Sequence, residues 1–544
     1  MEKRAVIAVV ISIAILFFFQ YVIFPRFQPP AEEASSEVPP AEPTIAGPPA
    51  EAEAPVPEVP ALAQPNGAAV QARHVTVETD LYSATFTTNG ARLESLRLKK
   101  YRTTVAPDSP LQETVIPGAH RELPFGVELR GAQTTPVVSD ADAPYAVDGD
   151  GLELSADQQG NLDFVWHGAA GTIRKHFTFS GGRYEFSVQL SASNFPKDYN
   201  ELSVQWVKGV DTPPQPGSEI IFDRAVFLDG RKLIEDTFDK LAGGQILPGD
   251  IAWAGYAGRH FFAAMVPAGG QSHRVWLKLW DHTVEEKLLF PLVADPTEQH
   301  LDLYIGPKDF DSLEVVGHSL SRVVNLGWFG FIAVPLLHVL KFSHGFTGNY
   351  GLDIILMTVL IKILFIPLTQ RSFQSMRAMQ KLQPQMAKIR ERFKDNQEQM
   401  NKEIMELYRR HKVNPVGGCL PMLLQIPVFI GLYSALGNAV ELRHAPFLLW
   451  INDLSAPDRL GMLQLPFVQH PGIPVLTLLM GASMFIQQWM SPSAGDPTQQ
   501  QVMMIMPLMF TFMFVNFPSG LALYWLVNNL LTIAQQYYMN RTAT

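Results

Sequence analysis

The sequence predicts a multidomain membrane protein with an N-terminal anchor helix, an all-β sandwich domain and a C-terminal core of five transmembrane helices carrying a cytoplasmic helical hairpin. Three observations carry that reading. Long apolar runs are confined to the extreme N-terminus and to residues after 325. Residues 71–310 instead alternate apolar and polar positions between Gly, Asn and Asp turn signals. Basic residues concentrate in one block, 370–412, which holds eleven Lys/Arg against five Asp/Glu.

The anchor comes first. Residues 5–24, AVIAVVISIAILFFFQYVIF, are enough to cross a bilayer as a helix. Lys3 and Arg4 precede them and only Arg26 follows before Arg73, which predicts a cytoplasmic N-terminus. The chain continues FPRFQPP with no A-x-A site, so residues 1–27 read as an uncleaved anchor rather than a signal peptide. Residues 28–70 hold eleven prolines, seven acidic residues and no Lys or Arg. Such a stretch cannot bury enough apolar surface to offset its ordering entropy, and it reads as an extended linker.

The strand signals of 71–310 include VTVETDLYSATFTTNGARLESLRL and TIRKHFTFSGGRYEFSVQLSAS. Their period of two fits half-buried antiparallel strands, and a large β-sandwich on the far side of the membrane from the N-terminus follows. In 311–348, Leu313, Val316, Leu320 and Val324 fall on one helical face. The apolar run after them is short and broken by Pro335, so this region is expected to lie in the interface rather than to cross.

Residues 349–540 form the expected core, opening with the span LDIILMTVLIKILFIPLT, 352–369. The net charge of +6 over 370–412 places that segment in the cytoplasm. The loop 439–472, with two arginines against Glu441, Asp453 and Asp458, falls outside. Further spans are expected near 417–438, 473–490, 502–517 and 519–535. The last two look short against a hydrocarbon thickness of about 30 Å, which would thin the bilayer locally.

Lys362 is the residue that weighs most. It lies past the middle of its span, with Thr358 one turn earlier on the same face. Arg371 marks the cytoplasmic interface nine residues on, about 13 Å away, too far for one lysine stem to reach by snorkelling. A polar, partly hydrated cavity is therefore expected around it. Gln425, Ser434, Gln487, Gln488, Thr511, Asn528 and Asn529 add polar groups in the other spans. Asp353, near the outer end of the same helix, is the one acidic residue in the core spans.

Within 371–412, Met376, Met379, Leu382, Met386, Ile389 and Phe393 repeat at helical spacing, as do Met400, Ile404 and Leu407 beyond a turn at Asp395–Asn396. Basic residues such as Arg390 fill the other faces. Two readings stay open: a self-packed hairpin near anionic lipid, or a platform receiving a ribosome or nascent chain. Seventeen of nineteen methionines follow residue 350, a bias that suits adaptable surfaces and membrane cores alike.

The formal charge of −10 argues against a nucleic-acid-binding protein. The single cysteine, Cys419, excludes an intrachain disulfide. No P-loop, strand-linked GxGxxG, HExxH or CxxC is present. GHSLS at 317–321 lacks the last glycine of a nucleophile elbow and sits in an expected helical stretch. No enzyme, metal or cofactor is predicted. A transporter would be expected to show internal repeats and opposed ionisable residues, neither of which is visible. A membrane-anchored carbohydrate enzyme would leave the large helical core unexplained.

With those residues in view, the chain closely resembles the YidC/Oxa/Alb family of membrane protein insertases, in its long Gram-negative form. The strings that carry the resemblance are KVNPVGGCLPMLLQIPVFIGLY (412–433), ELRHAPFLLWINDLSAPD (441–458), the SPS…DPTQQQ stretch (491–501) and FPSGLALYWLVNNL (517–530). The resemblance implies a multi-pass protein of the bacterial inner membrane with a periplasmic all-β supersandwich domain. It also implies a five-helix insertase core whose hydrophilic groove opens to the cytoplasm and lipid. Lys362 stands at the position of a basic residue that is usually arginine, which keeps the charge and loses the guanidinium fork. Thr358, Gln425, Tyr524, Trp525 and Asn528 would share the substrate groove with it. Met379, Met386, Arg390 and Met400 mark the cytoplasmic hairpin. The implied partners are nascent membrane proteins, the Sec translocase (SecYEG, SecDF), the lipid bilayer and the ribosome through cytoplasmic loops. Tail-mediated ribosome binding is not expected from the short NRTAT ending. A likeness of the sandwich to sugar-processing enzymes would be one of fold and would transfer no reaction.

Overall fold

The computed structural model describes residues 72–131, 137–168, 171–209, 224–230, 232–236, 244–247, 249–268, 274–280, 283–394, 396–411, 413, 420–463, 471–490 and 497–542. The expected anchor and linker, and Cys419, lie outside these residues.

Among the described residues no α-helix precedes Phe310, and the alternating stretches are strands. The first quoted stretch forms three consecutive antiparallel strands, His74–Thr79, Tyr82–Thr87 and Arg92–Arg102. The second forms the hairpin Gly171–Ser180 with Glu185–Ser193, in which Phe179 lies opposite Phe186. The strands group into sheets of five, nine and six. Their inward positions pool into one core in which Phe86, Phe125, Phe164, Phe177, Phe179, Phe186 and Trp206 are buried. Ring centroids there lie between 5.0 Å (Phe86–Phe177) and 6.2 Å (Phe125–Phe186), the spacing at which aromatic pairs add to plain area burial. At the tight turn after Thr88, Gly90 takes φ +71°, and a Cβ there would stand 3.0 Å from the Asp140 carbonyl oxygen. Glycine is thus required on both backbone and space grounds.

Helices follow the sandwich. The first, α1 (Phe310–Val316), is capped by Asp309, whose carboxylate accepts from the Ser312 backbone N–H. A turn and a short 3-10 segment, Leu320–Val323, lead to α2 (Gly330–Thr347). This corrects the expectation of one helical face over 311–324. His318 and Ser319 adopt left-handed backbone conformations (φ 50° and 59°) that no helix continues through. GHSLS therefore spans this turn at 317–319 and the start of the 3-10 segment. Leu313, Leu320 and Val324 are nonetheless buried.

Next comes α3 (Tyr350–Arg392), capped by Asn349, whose side chain accepts from the N–H groups of Gly351 and Leu352. Its 43 residues make it about 65 Å long, so the expected span and the first arm of the hairpin are one helix. Pro367 and Pro384 sit inside it without ending it. A turn carrying the Asn396 cap leads to α4 (Gln397–Arg410), which packs back against α3. The remaining helices are α5 (Leu420–Asn438), α6 (Val475–Met490), α7 (Pro497–Phe514) and α8 (Ser519–Thr542). The last has 24 residues, about 36 Å of rise, so the helix is longer than the span expected at 519–535. The sequence boundary at 535 missed two further turns. Among the described residues α3 is the helix long and apolar enough to cross a membrane, with Val475–Met490 and Met503–Phe514 as shorter apolar helices.

Sandwich and helices share a second apolar cluster. Trp253, Phe262 and Tyr304 of the sandwich join Leu313, Leu320, Leu337, Ile354 and Leu442 in it. Polar ties reinforce the junction. Arg443 donates to the Arg102 carbonyl and to Gln112 Oε1, both at 2.7 Å, and Arg259 donates to the Ser455 carbonyl at 2.8 Å. Lys341 of α2 meets Asp309 at 2.5 Å, Asp311 at 2.6 Å and Glu441 at 2.8 Å.

Candidate functional site: a polar seam among the C-terminal helices

One face of α3 is buried through Ile354, Met357, Thr358 and Ile361. The opposite face exposes Leu352, Leu356, Leu360, Ile363 and Leu364. Lys362 sits at the border of the two and is half-buried. Its ammonium donates to the Thr532 hydroxyl of α8 at 2.6 Å. Among the described residues no carboxylate pairs with it. Thr358, the expected polar neighbour, is buried and donates instead to the Ile354 carbonyl of its own helix at 2.6 Å.

Helix α8 supplies most of the other polar contacts. Residues 524, 528, 532, 535 and 536 recur at three- and four-residue spacing, so they share one stripe. Tyr524 is 1% exposed and its hydroxyl accepts from Gln425 Nε2 of α5. The neighbouring Trp525 is half-buried, edge-on to Phe429 at 4.9 Å. The half-buried Asn528 receives the Thr532 hydroxyl on its carbonyl at 2.6 Å. Asn529 donates to Ser483 of α6 at 3.0 Å, and Gln535 donates to Thr369 of α3 at 3.0 Å. The structure thus joins Lys362 to α8 and Gln425 to Tyr524 but leaves Thr358 bonded to its own backbone. Sequence reasoning missed Thr532, Gln535 and Thr369. The signal available was the four-residue step from Asn528 to Thr532.

In the hairpin, Met379 and Met386 are buried with Leu382 and Tyr408, and Ile404 and Leu407 pack against them. The Tyr408 hydroxyl donates to Met386 Sδ at 3.3 Å. Arg390 and Met400 are half-buried outside that cluster. The self-packed reading describes the first two methionines, whereas Arg390 and Met400 border solvent.

Comparison with known proteins decides the family. Residues 74–339 match the family described as YidC periplasmic domain, and residues 342–544 match that described as 60Kd inner membrane protein. Membrane protein insertase YidC of Geobacter sulfurreducens is 43% identical over 550 residues, covering 100% of this chain and 99% of the relative. Its counterpart from Pelobacter propionicus is 40% identical over 564 residues, 99% of each. The chain belongs to the YidC family of membrane protein insertases. A crystal structure of an active YidC insertase with its first transmembrane domain resolved covers 86% of this chain and 92% of its own, at 20% identity and TM-score 0.37. A galactose mutarotase-like protein from Lactobacillus casei covers 43% of this chain and 99% of its own, at 14% identity and TM-score 0.28.

The strings that carried the family resemblance have local physical roles where they are described. In 441–458, buried Asp458 accepts from the Leu476 N–H at 2.7 Å and the Thr477 hydroxyl at 3.0 Å, satisfying the start of α6. In 517–530, the Ser519 and Gly520 N–H groups donate to the Ala456 and Leu454 carbonyls at 2.8 and 2.9 Å. The two strings therefore lock one another at the start of α8. Most of 412–424 and residues 491–496 lie outside the described residues.

Proposed function

We propose that the C-terminal helices work as a five-span core whose polar seam lines a hydrated groove, and that Lys362 draws acidic segments of client proteins into it. The observation that carries this reading is the lysine's surroundings. Among the described residues its positive charge meets one neutral hydroxyl and no carboxylate, so its attraction for an incoming anion is not neutralised there. Where the dielectric is low, that attraction acts strongly. Leaving such a charge in lipid would cost a few kcal/mol or more, which favours a wet cavity. A polar client segment crossing beside α8 would exchange water for the hydroxyl and amide groups of the seam.

The topology that goes with it has the N-terminus, the hairpin and the C-terminus cytoplasmic and the sandwich periplasmic. An anchor (1–27), a linker (28–70), a sandwich (71–310) and an interfacial region (311–348) precede the core (349–540). The +6 block supports this, as does the length of α3, which exceeds the bilayer and must project. Helix α2 suits the interface: Phe331, Phe342 and Phe346 are exposed opposite buried Ala333, Leu337 and Leu340. Nascent membrane proteins are the clients, received alone or together with SecYEG and SecDF. The ribosome would meet the basic outer faces of α3 and α4 near Arg390 rather than the packed Met379 and Met386.

Charge variants test the groove. Lys362→Arg should keep insertion, Lys362→Met should impair clients with acidic translocated tails, and Lys362→Glu should be worse. Neutralising the client tail should partly relieve the Met defect. Protease protection of the client at matched insertase levels reads the outcome. Normal insertion of acidic-tailed clients by the Met variant would retire the groove-charge mechanism.

A further inference from the structure

The seam contains a residue whose chemistry is fixed by what it touches. A threonine hydroxyl has one proton to give and lone pairs to accept with, whereas a lysine ammonium can only donate. Thr532 lies 2.6 Å from Lys362 Nζ and 2.6 Å from the Asn528 carbonyl oxygen. The carbonyl can only accept, so the direction of the chain is settled: Lys362 donates to Thr532, and Thr532 donates to Asn528. Thr532 is only 8% exposed, and the oxygen's acceptor face is thereby turned to the ammonium. Among the described residues one of the three ammonium protons is used, which leaves two for water or an anionic group. A second rung, Gln535 to Thr369 at 3.0 Å, keeps α3 and α8 in register one turn closer to the end of α8. Thr358 donates in the same way to the Ile354 carbonyl, but the hydroxyl that receives the Lys362 ammonium is that of Thr532.

From this geometry we infer that Thr532 is the positioning residue of the groove charge: it holds the Lys362 ammonium at the α3–α8 seam and so sets selectivity for acidic client segments. The inference rests on the groove-charge reading above. Without the hydroxyl, the four-carbon lysine stem swings toward the cytoplasmic end of α3, as lysines near apolar surroundings do. The charge survives, but not at the depth where a translocating carboxylate needs it.

The test uses the full chain in proteoliposomes with two clients that differ only in an acidic or a neutral translocated tail. Thr532→Val keeps the shape and removes the hydroxyl. It should lower insertion of the acidic client relative to the neutral one by roughly five-fold, the effect of one net hydrogen bond. Reaction of Lys362 with an amine-reactive reagent added from the cytoplasmic side, read by mass spectrometry, should rise in the same variant. Thr532→Ser should restore both values, and Thr532→Ala takes the place of the Val variant should the latter fail to accumulate. Equal loss of both clients would assign Thr532 to helix packing and overturn the inference, as would unchanged selectivity and labelling. Lys362→Met run alongside separates the two levels. If it impairs the acidic client while Thr532→Val does not, only the positioning role fails. If it too is without effect, the groove charge falls and the positioning role with it.

Discussion

Two inward-pointing lysines, one in the sandwich and one among the C-terminal helices, live in surroundings that differ in kind. Lys175, on the strand Gly171–Ser180, is 2% exposed. Its ammonium lies 2.6 Å from Asp140 and donates to the Gly90 and Phe125 carbonyls at 2.6 and 2.7 Å. Asp140 in turn receives Arg92, the Tyr145 hydroxyl and the Val127 N–H. Burial pulls the Lys175 pKa down to about 8, with Asp140 opposing that shift. Each of the three Lys175 ammonium protons has an acceptor, as a buried charge requires. Among the described residues Lys362 has one hydroxyl and no counter-ion. The sandwich satisfies its charge and uses it to lock a turn against a strand, while the helical region keeps its charge under-satisfied. The first arrangement is a stability device, and the second is poised to be completed by something that arrives.

The largest effect on stability should come from breaking the first arrangement. Lys175→Met leaves Asp140 buried opposite Arg92 alone and strips two carbonyls of their donor. The sandwich, expressed within the full chain, should lose about 3 kcal/mol or more of stability in denaturant unfolding. Lys362→Met removes an incompletely paired charge and should leave unfolding unchanged or raise the midpoint, even as client insertion falls. Equal destabilisation by the two variants would erase the contrast.

A smaller effect tests a buried carboxyl. Glu286 is 2% exposed, its Oε1 has no hydrogen-bond partner among the described residues, and burial pushes its pKa up from 4.5 to about 8. The folded state therefore holds a proton that the unfolded state gives up near 4.5. Stability is fully present below that value and falls as pH rises to about 8, beyond which this group adds no further slope. Glu286→Gln should flatten that slope in unfolding measured from pH 5 to 8, while an unchanged slope would show that the carboxyl is ionised in the fold.

Much of this architecture was legible because it is local. Period-two alternation marked the strands, apolar length marked α3 and α5–α7, and Asn396 marked the start of α4. What escaped was non-local or contrary to a local rule. The joining of the span to the first hairpin arm as one helix, α3, with Pro367 and Pro384 inside it, was not read from the local pattern. The end of α8 is polar and aromatic, Gln535, Gln536, Tyr537 and Tyr538, and its helicity shows in no apolar run. Left-handed Ser319 carries no sequence signal, and His318 carries only the weak preference of histidine for that region. At the seam, Lys362 stood out as an ionisable residue in an apolar span. Its partner did not, because one threonine in a helix has no signature until the facing helix is known. The ties from Arg443 to Arg102 and from Arg259 to Ser455 end on backbone carbonyls, which no side-chain pattern reveals.

Between the two regions stands Lys341, whose three carboxylates come from three segments: Asp309 at the end of the sandwich, Asp311 in α1 and Glu441 before the loop that leads to α6. Its neighbours hold the Asp309 carboxyl down to about 2 despite burial. Lys341→Met leaves three acids facing one another at a partly solvated joint and should cost about 1–2 kcal/mol. Proteolysis should then cut sooner near 311–330 while the sandwich itself stays resistant; unchanged cutting would show that the shared apolar cluster alone holds the joint.

The smallest expected effect on insertion comes from removing the sandwich altogether. Its aromatic core is complete within 75–305, and the seam contacts of Lys362, Gln425 and Gln535 all run between helices. Deleting 72–300 keeps Asp309, Asp311, Lys341 and Glu441, so the joint survives. What is lost is the cover that Trp253 and Phe262 give to Leu313 and Leu320, together with the Arg443 and Arg259 ties. The deletion variant should therefore accumulate less well than the parent while inserting clients, per molecule, to within about two-fold, since none of these lost contacts is one of the seam's own. Cysteines at Gln397 and Asp453 should still label from opposite faces of the membrane in that variant. Complete loss of insertion by a variant that accumulates stably with that topology would mean the sandwich takes part in insertion itself, and the division into a structural and a working region would not hold.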